Sequence, residues 1–180
     1  MKSIRGFLAA LFAACAFLSV NASAGPIAVG PWFEFGFGAA GTALTSGVGT
    51  VPGVNPPTTF LDNPPWTFTC TTSCWLVVTD AFLSGDRFQF FDNLASIGLT
   101  SVPVLGSDCG NNVLGCLGNA AFSHGLFALT AGAHSITGIV TVSPFGAGAA
   151  FLRVQLPEPS TILLLAMGLL SVGVMLRKRA

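Results

Sequence analysis

Between residues 25 and 156 of this 180-residue chain, no window of twelve or more residues shows helical spacing without a glycine or proline interrupting it. A chain punctuated in this way has to bury its apolar side chains on strands. Trp66, Phe68 and Cys70 alternate with Thr67, Thr69 and Thr71 in a clean period of two. Cys74 to Asp80 is a β-branched and aromatic run, and Asp86 to Asp92 follows the turn residues Ser84-Gly85. Phe122 to Thr130, His134 to Ser143 and Ala149 to Leu156 continue the pattern, with Ala131-Gly132-Ala133 placed to make a hairpin turn. In the last run, Leu152, Val154 and Leu156 are expected to face inward, and Arg153 and Gln155 outward. Short strands with turn signals roughly every 8–12 residues predict an all-β domain over 25–156, an antiparallel β-sandwich or jelly-roll-like fold. Residues 38–65, rich in Gly, Pro, Thr and Val, read as a long loop with at most one edge strand.

Charge narrows the function. Only 8% of residues are charged, where a soluble domain carries about 25%. Seven basic residues balance seven acidic ones, but five of the basic side chains lie at the two ends of the chain. Residues 25–157 hold six acids and only two bases, Arg87 and Arg153, for a net charge of −4. Such a surface cannot neutralise a run of phosphates, which excludes nucleic acid as a partner.

Both ends read as targeting segments. Lys2 and Arg5 form a basic start, Phe7 to Val20 is an apolar run of fourteen residues, and Ala22-Ser23-Ala24 supplies small residues for a signal peptidase. Residues 1–24 are therefore expected to be a signal peptide for export through Sec, cleaved before Gly25. At about 1.5 Å per residue the run is too short for a bilayer core of about 30 Å. Phe12-Ala13-Ala14-Cys15 is a poor lipoprotein box, because it lies inside the apolar run. At the other end, Thr161 to Leu176 has no charge in sixteen residues and is followed by Arg177-Lys178-Arg179. A basic cluster stays on the cytoplasmic side, so 160–176 is expected to be a short transmembrane helix with a basic tail at 177–180. Just before it, Pro157 and Pro159 remove two N–H donors and stop any strand or helix. Glu158 between them sits favourably at the positive end of the membrane helix. The result is an extended, accessible tripeptide at the membrane surface.

Pro157-Glu158-Pro159, the apolar helix and the Arg-rich end resemble, over residues 157–180, the C-terminal sorting signal of PEP-CTERM proteins of Gram-negative bacteria. The resemblance implies recognition by exosortase, a multi-pass membrane enzyme resembling a cysteine transpeptidase, transient anchoring in the inner membrane and removal of the tail. It also implies an association with exopolysaccharide and biofilm formation. Val78 to Phe88, Phe91-Asp92-Asn93 and Gly132 to Gly138 resemble ectodomains carried by many PEP-CTERM proteins, which implies fold and location only.

Four cysteines remain after signal removal, Cys70, Cys74, Cys109 and Cys116. An even number in an exported chain predicts two disulfides, with three pairings open. Loop entropy favours the crossed pairings, at about 4 kcal/mol against about 2 for the short loops. The strand pattern favours Cys70–Cys74 across a hairpin and Cys109–Cys116. Neither spacing matches the two-residue knuckle of structural zinc sites.

Other motifs carry less chemistry. Gly36-Phe37-Gly38-Ala39-Ala40-Gly41 fits a dinucleotide fingerprint, but Gly47, Gly49, Pro52 and Gly53 break the helix that fingerprint needs. Asp80, Asp86 and Asp92 recur every six residues and are weak Ca²⁺ candidates, with Asx-turns as the plainer reading. His124 and His134 are the only histidines, with no nucleophile elbow and no paired glutamates near them. Trp32, Trp66 and Trp75 are possible sugar platforms, though a sandwich core also needs aromatic volume. The expectation is an exported, non-catalytic cell-surface or matrix protein without a cofactor. A carbohydrate-binding module on the same route is the alternative, and a secreted hydrolase a remote one.

Overall fold

The computed structural model describes residues 25–47 and 51–157. The signal segment 1–24, Glu158 and Pro159, the span 160–176 and the tail 177–180 with Arg177, Lys178 and Arg179 lie outside the described residues. Among those described, no helix is long and apolar enough to cross a membrane.

Two five-stranded sheets pack face to face. The first runs, in spatial order, β1 (Gly25–Pro26), β4 (Trp66–Cys70), β11 (Gly132–Val142), β7 (Arg87–Asp92) and β8 (Ala95–Leu99). The second runs β10 (His124–Leu129), β5 (Cys74–Asp80), β12 (Gly148–Gln155), β2 (Trp32–Phe37) and β3 (Thr58–Phe60). A ribbon of β6 (Phe82–Leu83) and β9 (Asp108–Gly110) leads into one short helix, α1 (Val113–Gly118). Alternation along each strand sends one set of side chains between the sheets. There Phe35 of β2 meets Trp66 of β4 at 5.4 Å and Phe88 of β7 at 5.6 Å between ring centroids. Phe37 meets Phe88 at 4.9 Å. These separations suit edge and tilted aromatic packing, worth about 1 kcal/mol per pair beyond area burial.

The second sheet is covered on its outer face as well. Trp32, Val77 and Phe151 point away from the first sheet and pack against Val113, Cys116 and Phe122. The cover is held by Cys109–Cys116, with Cα atoms 5.2 Å apart. Its helix starts where the Asn112 side chain accepts the Gly115 N–H at 2.9 Å. A second covering strip needs glycine: a Cβ on Gly53 would lie 2.7 Å from Phe151.

Several sequence expectations change. The sheets are mixed rather than purely antiparallel, because β1 pairs β4 and β2 pairs β3 in parallel. Only a tight hairpin forces antiparallel pairing, and both pairs are joined by long connections. Residues 70–74 and 129–132 do not turn hairpins either. Each carries the chain from one sheet to the other, since β4 and β11 belong to the first sheet and β5 and β10 to the second. Leu156 falls past the end of β12 and is exposed. Strands β2 and β8 and helix α1 were not expected. Both faces of β2 are buried, so its Trp-Phe-Glu-Phe-Gly-Phe run has no polar side to reveal a period.

Candidate functional site

Three constellations arise from this framework. At one end of the sandwich the two sheet-crossing connections lie side by side, with Gly132 opposite Cys70 and Leu129 opposite Cys74. Cys70–Cys74 joins the sheets there, at a Cα separation of 6.0 Å. Local pairing is thus correct for both disulfides, although the first ties two sheets and not the arms of a hairpin. His134 on β11 sits beside it. Its Nδ1 lies 2.8 Å from Asp92 Oδ2, its Nε2 lies 3.0 Å from the Thr130 carbonyl, and its ring stacks on Phe68. Cys70, Cys74 and His134 have their ligand atoms within 4.8 Å of one another. With the sulfurs joined in a disulfide and both ring nitrogens engaged, this cluster is structural. His134 is the satisfied core residue.

At the opposite end, β5 terminates in Asp80. The chain then turns through Phe82, at φ 57°, and Gly85, where a Cβ would meet Leu105 at 2.6 Å. Asp80 Oδ1 accepts the Ala81 N–H at 2.9 Å, and Oδ2 accepts those of Gly85 and Asp86 at 3.2 Å each. This is the Asx-turn geometry in extended form. Asp86 is buried beside it, and its Oδ1 has no partner among the described residues. Burial first, then the charge of Asp86, push the Asp80 carboxyl up to about 8 against its three N–H donors. Burial raises Asp86 too. The pair therefore holds a proton at neutral pH. Asp92 lies at the far end of β7 and pairs with His134, so the three aspartates share no site. Ca²⁺ takes six to eight oxygens. Two carboxylates, one already accepting three N–H bonds, do not form that cage.

Glu34, silent in the sequence, is fully buried under the cover of the second sheet. Its Oε2 accepts the Gly53 N–H at 3.1 Å, Oε1 has no partner among the described residues, and burial raises its carboxyl. No sequence signal marks it, because a lone glutamate between phenylalanines reads as solvent-facing.

The third feature is a groove of about 460 Å³ on the outer face of the first sheet. Thr67, Thr69 and Ser135 form its floor, and Pro26 and Asn93 stand at its sides. The tryptophans do not reach it. Trp66 is 0% exposed and Trp32 is buried with the Arg153 guanidinium 4.9 Å above its ring, while Trp75 is half-buried against the cover. None is a free platform, because sandwich and cover both consume aromatic area. His124 is engaged as well: Nδ1 lies 3.2 Å from Thr79 Oγ1 and Nε2 3.0 Å from the Asn119 carbonyl. Thr79 is buried and its hydroxyl donates to the Asp80 carbonyl, so this hydroxyl is closed off from solvent. Gly36 to Gly41 close β2 and enter a turn, not a helix.

β12 ends at Gln155, and the exposed Pro157 is the last described residue. Residues 155–179 match the family model of the PEP-CTERM protein-sorting motif. The motif implies export, sorting at the membrane and exosortase as processing partner, and so places the β-rich domain at the cell surface. No curated protein and no solved structure matches the chain.

Proposed function

We propose that the chain is an exported, non-catalytic component of the surface matrix. In this reading signal peptidase releases Gly25 after Sec export, and exosortase of a Gram-negative cell removes the tail at Pro157-Glu158-Pro159. The β-domain is then left associated with exopolysaccharide and biofilm. The carrying observation is the sorting motif at 155–179, placed directly after the last strand. Two local disulfides suit an oxidising compartment. A non-catalytic role is supported by the engagement of Asp80 and of both histidines. Asp80 accepts three N–H bonds, His134 is braced by Asp92, and His124 is bonded on both nitrogens.

Mass spectrometry of the mature protein from its native host tests the reading. The expected species starts at Gly25, lacks about the last 20 residues and carries two disulfides. A Glu158→Ala chain is expected to keep its Arg-rich end and stay in the membrane fraction. Recovery of wild-type protein from the medium with Arg177-Lys178-Arg179 intact would overturn the exosortase step. Turnover in a broad hydrolase panel would overturn the non-catalytic role.

A further inference from the structure

Among the described residues the outer face of the first sheet has no cover, and its groove is chemically distinctive. Thr67, Thr69 and Ser135 point outward from β4 and β11, with Thr67 directly opposite Ser135 in the register. Among the described residues their side-chain hydroxyls bond to no protein group. By contrast, the hydroxyls of Thr42, Thr79, Ser84, Thr100 and Thr141 each donate to a protein acceptor. The free hydroxyls therefore form a regular array, about 4.8 Å apart across strands and about 6.8 Å along β4. Among the described residues no Lys, Arg, Asp or Glu lines the groove. Its one imidazole and the nearby carboxylate, His134 and Asp92, pair with each other.

One wall is a tight hairpin turn. The β7–β8 turn places Asn93 at φ 48° and Leu94 at φ 70°, a left-handed backbone that a leucine rarely adopts. The Asn93 amide pins this turn to β11 by donating to the Ala133 carbonyl at 3.4 Å. Leu94 is left 88% exposed at the tip beside the groove. A two-residue hairpin loop requires positive φ at both central residues, so the hairpin geometry itself presents Leu94 to solvent.

We infer that this groove binds a neutral, hydroxyl-rich polymer, a neutral polysaccharide, with the floor hydroxyls exchanging hydrogen bonds with the sugar hydroxyls and Leu94 packing on a sugar face. Such a ligand needs many uncharged donors and acceptors on a flat floor, which this strand pair supplies. An acidic polysaccharide would need cations that the groove lacks. The volume lies within the usual range for ligand clefts, about 300–1,000 Å³. The inference deepens the matrix role proposed above and rests on it.

The test is affinity electrophoresis of the full-length chain in a polyoxyethylene detergent, which carries no sugar. Native gels contain laminarin, xyloglucan, galactomannan or, for comparison, alginate. Retardation by at least one neutral polymer and not by alginate is expected. The double variant Thr67→Val/Ser135→Ala keeps strand shape and removes two hydroxyls. At about five-fold per lost hydrogen bond, its affinity should fall roughly 25-fold. Leu94→Asp, at an exposed tip whose left-handed backbone suits Asp better than Leu, should weaken binding without lowering the melting temperature. No retardation by any neutral polymer, retardation equal in all three proteins, or preference for alginate would overturn the inference. Failure of sorting would appear instead as an intact C-terminus in the mature protein with polysaccharide binding unaffected, so the two outcomes are separable.

Discussion

On the second sheet, Trp32, Val77 and Phe151 point away from the inter-sheet core and are buried all the same, under a lid of β9, α1 and Phe122. On the first sheet the outward positions include Thr67, Thr69, Ser135 and Thr137, and among the described residues nothing covers the groove that the first three line. Both sheets have five strands and share one interior, so the contrast lies in the outward-facing residues. Apolar outward residues recruit a second layer of chain, at the cost of ordering it. Hydroxylated ones can remain in water. One face is thereby committed to stability, and the other is left available for contact.

That contrast predicts a graded set of stability effects, measured by thermal or denaturant unfolding of the full-length chain in detergent. The largest is expected from Phe122→Ala, which removes a fully buried side chain of the lid itself and should cost about 3–5 kcal/mol. A loss below about 1 kcal/mol would show that the lid is not integral to the fold. Replacing Cys109 and Cys116 together by serine opens a loop of sequence separation 7. The chain-entropy model gives about 2.4 kcal/mol for it, with faster amide exchange expected in α1 and unchanged exchange in β4 and β11.

A smaller effect concerns the root of the lid, where Asp80 and Asp86 precede and follow β6. Asp80 has a folded value of about 8 against 3.8 unfolded, raised by burial and then by Asp86, so the native state binds the extra proton between those limits. Its contribution is fully present below 3.8 and is lost as pH rises through about 8. The melting temperature should therefore fall from pH 5 to pH 9, on the order of 5 °C. Asp86→Asn, which removes the neighbouring charge, should flatten that slope. A melting temperature that rises over the same interval would contradict the protonated pair. The smallest effect is on the bare face, where Thr137→Val should change stability by no more than about 0.5 kcal/mol. A larger loss would mean that this face is engaged by something within the fold.

Much of the architecture was legible from local pattern. Cys74–Asp80 and Trp66–Cys70 are strands with the expected bounds, and β7, β11 and β12 begin or end within two residues of expectation. The sorting tail was also legible, because proline, apolar run and basic cluster act through composition and order alone. The corners at 70–74 and 129–132 were not, since a turn that changes sheets uses the same short, polar or small residues as a hairpin. The fates of Asp80, Asp86 and Asp92 were not legible either. A spacing of six residues says nothing about which aspartate meets an imidazole and which meets three backbone amides.

Sequence by itself determined that this chain is strand-rich, internally cross-linked and addressed for sorting, because periodicity, cysteine parity and a linear tail are properties of neighbouring residues. Tertiary structure alone decided which outward face is roofed and which is open, that Glu34, Trp32 and Trp66 are buried, and that Thr67, Thr69 and Ser135 form one array. Those outcomes depend on strands distant in the chain meeting at a particular register. Free energy of burial belongs to the assembled surface, and no single segment carries it.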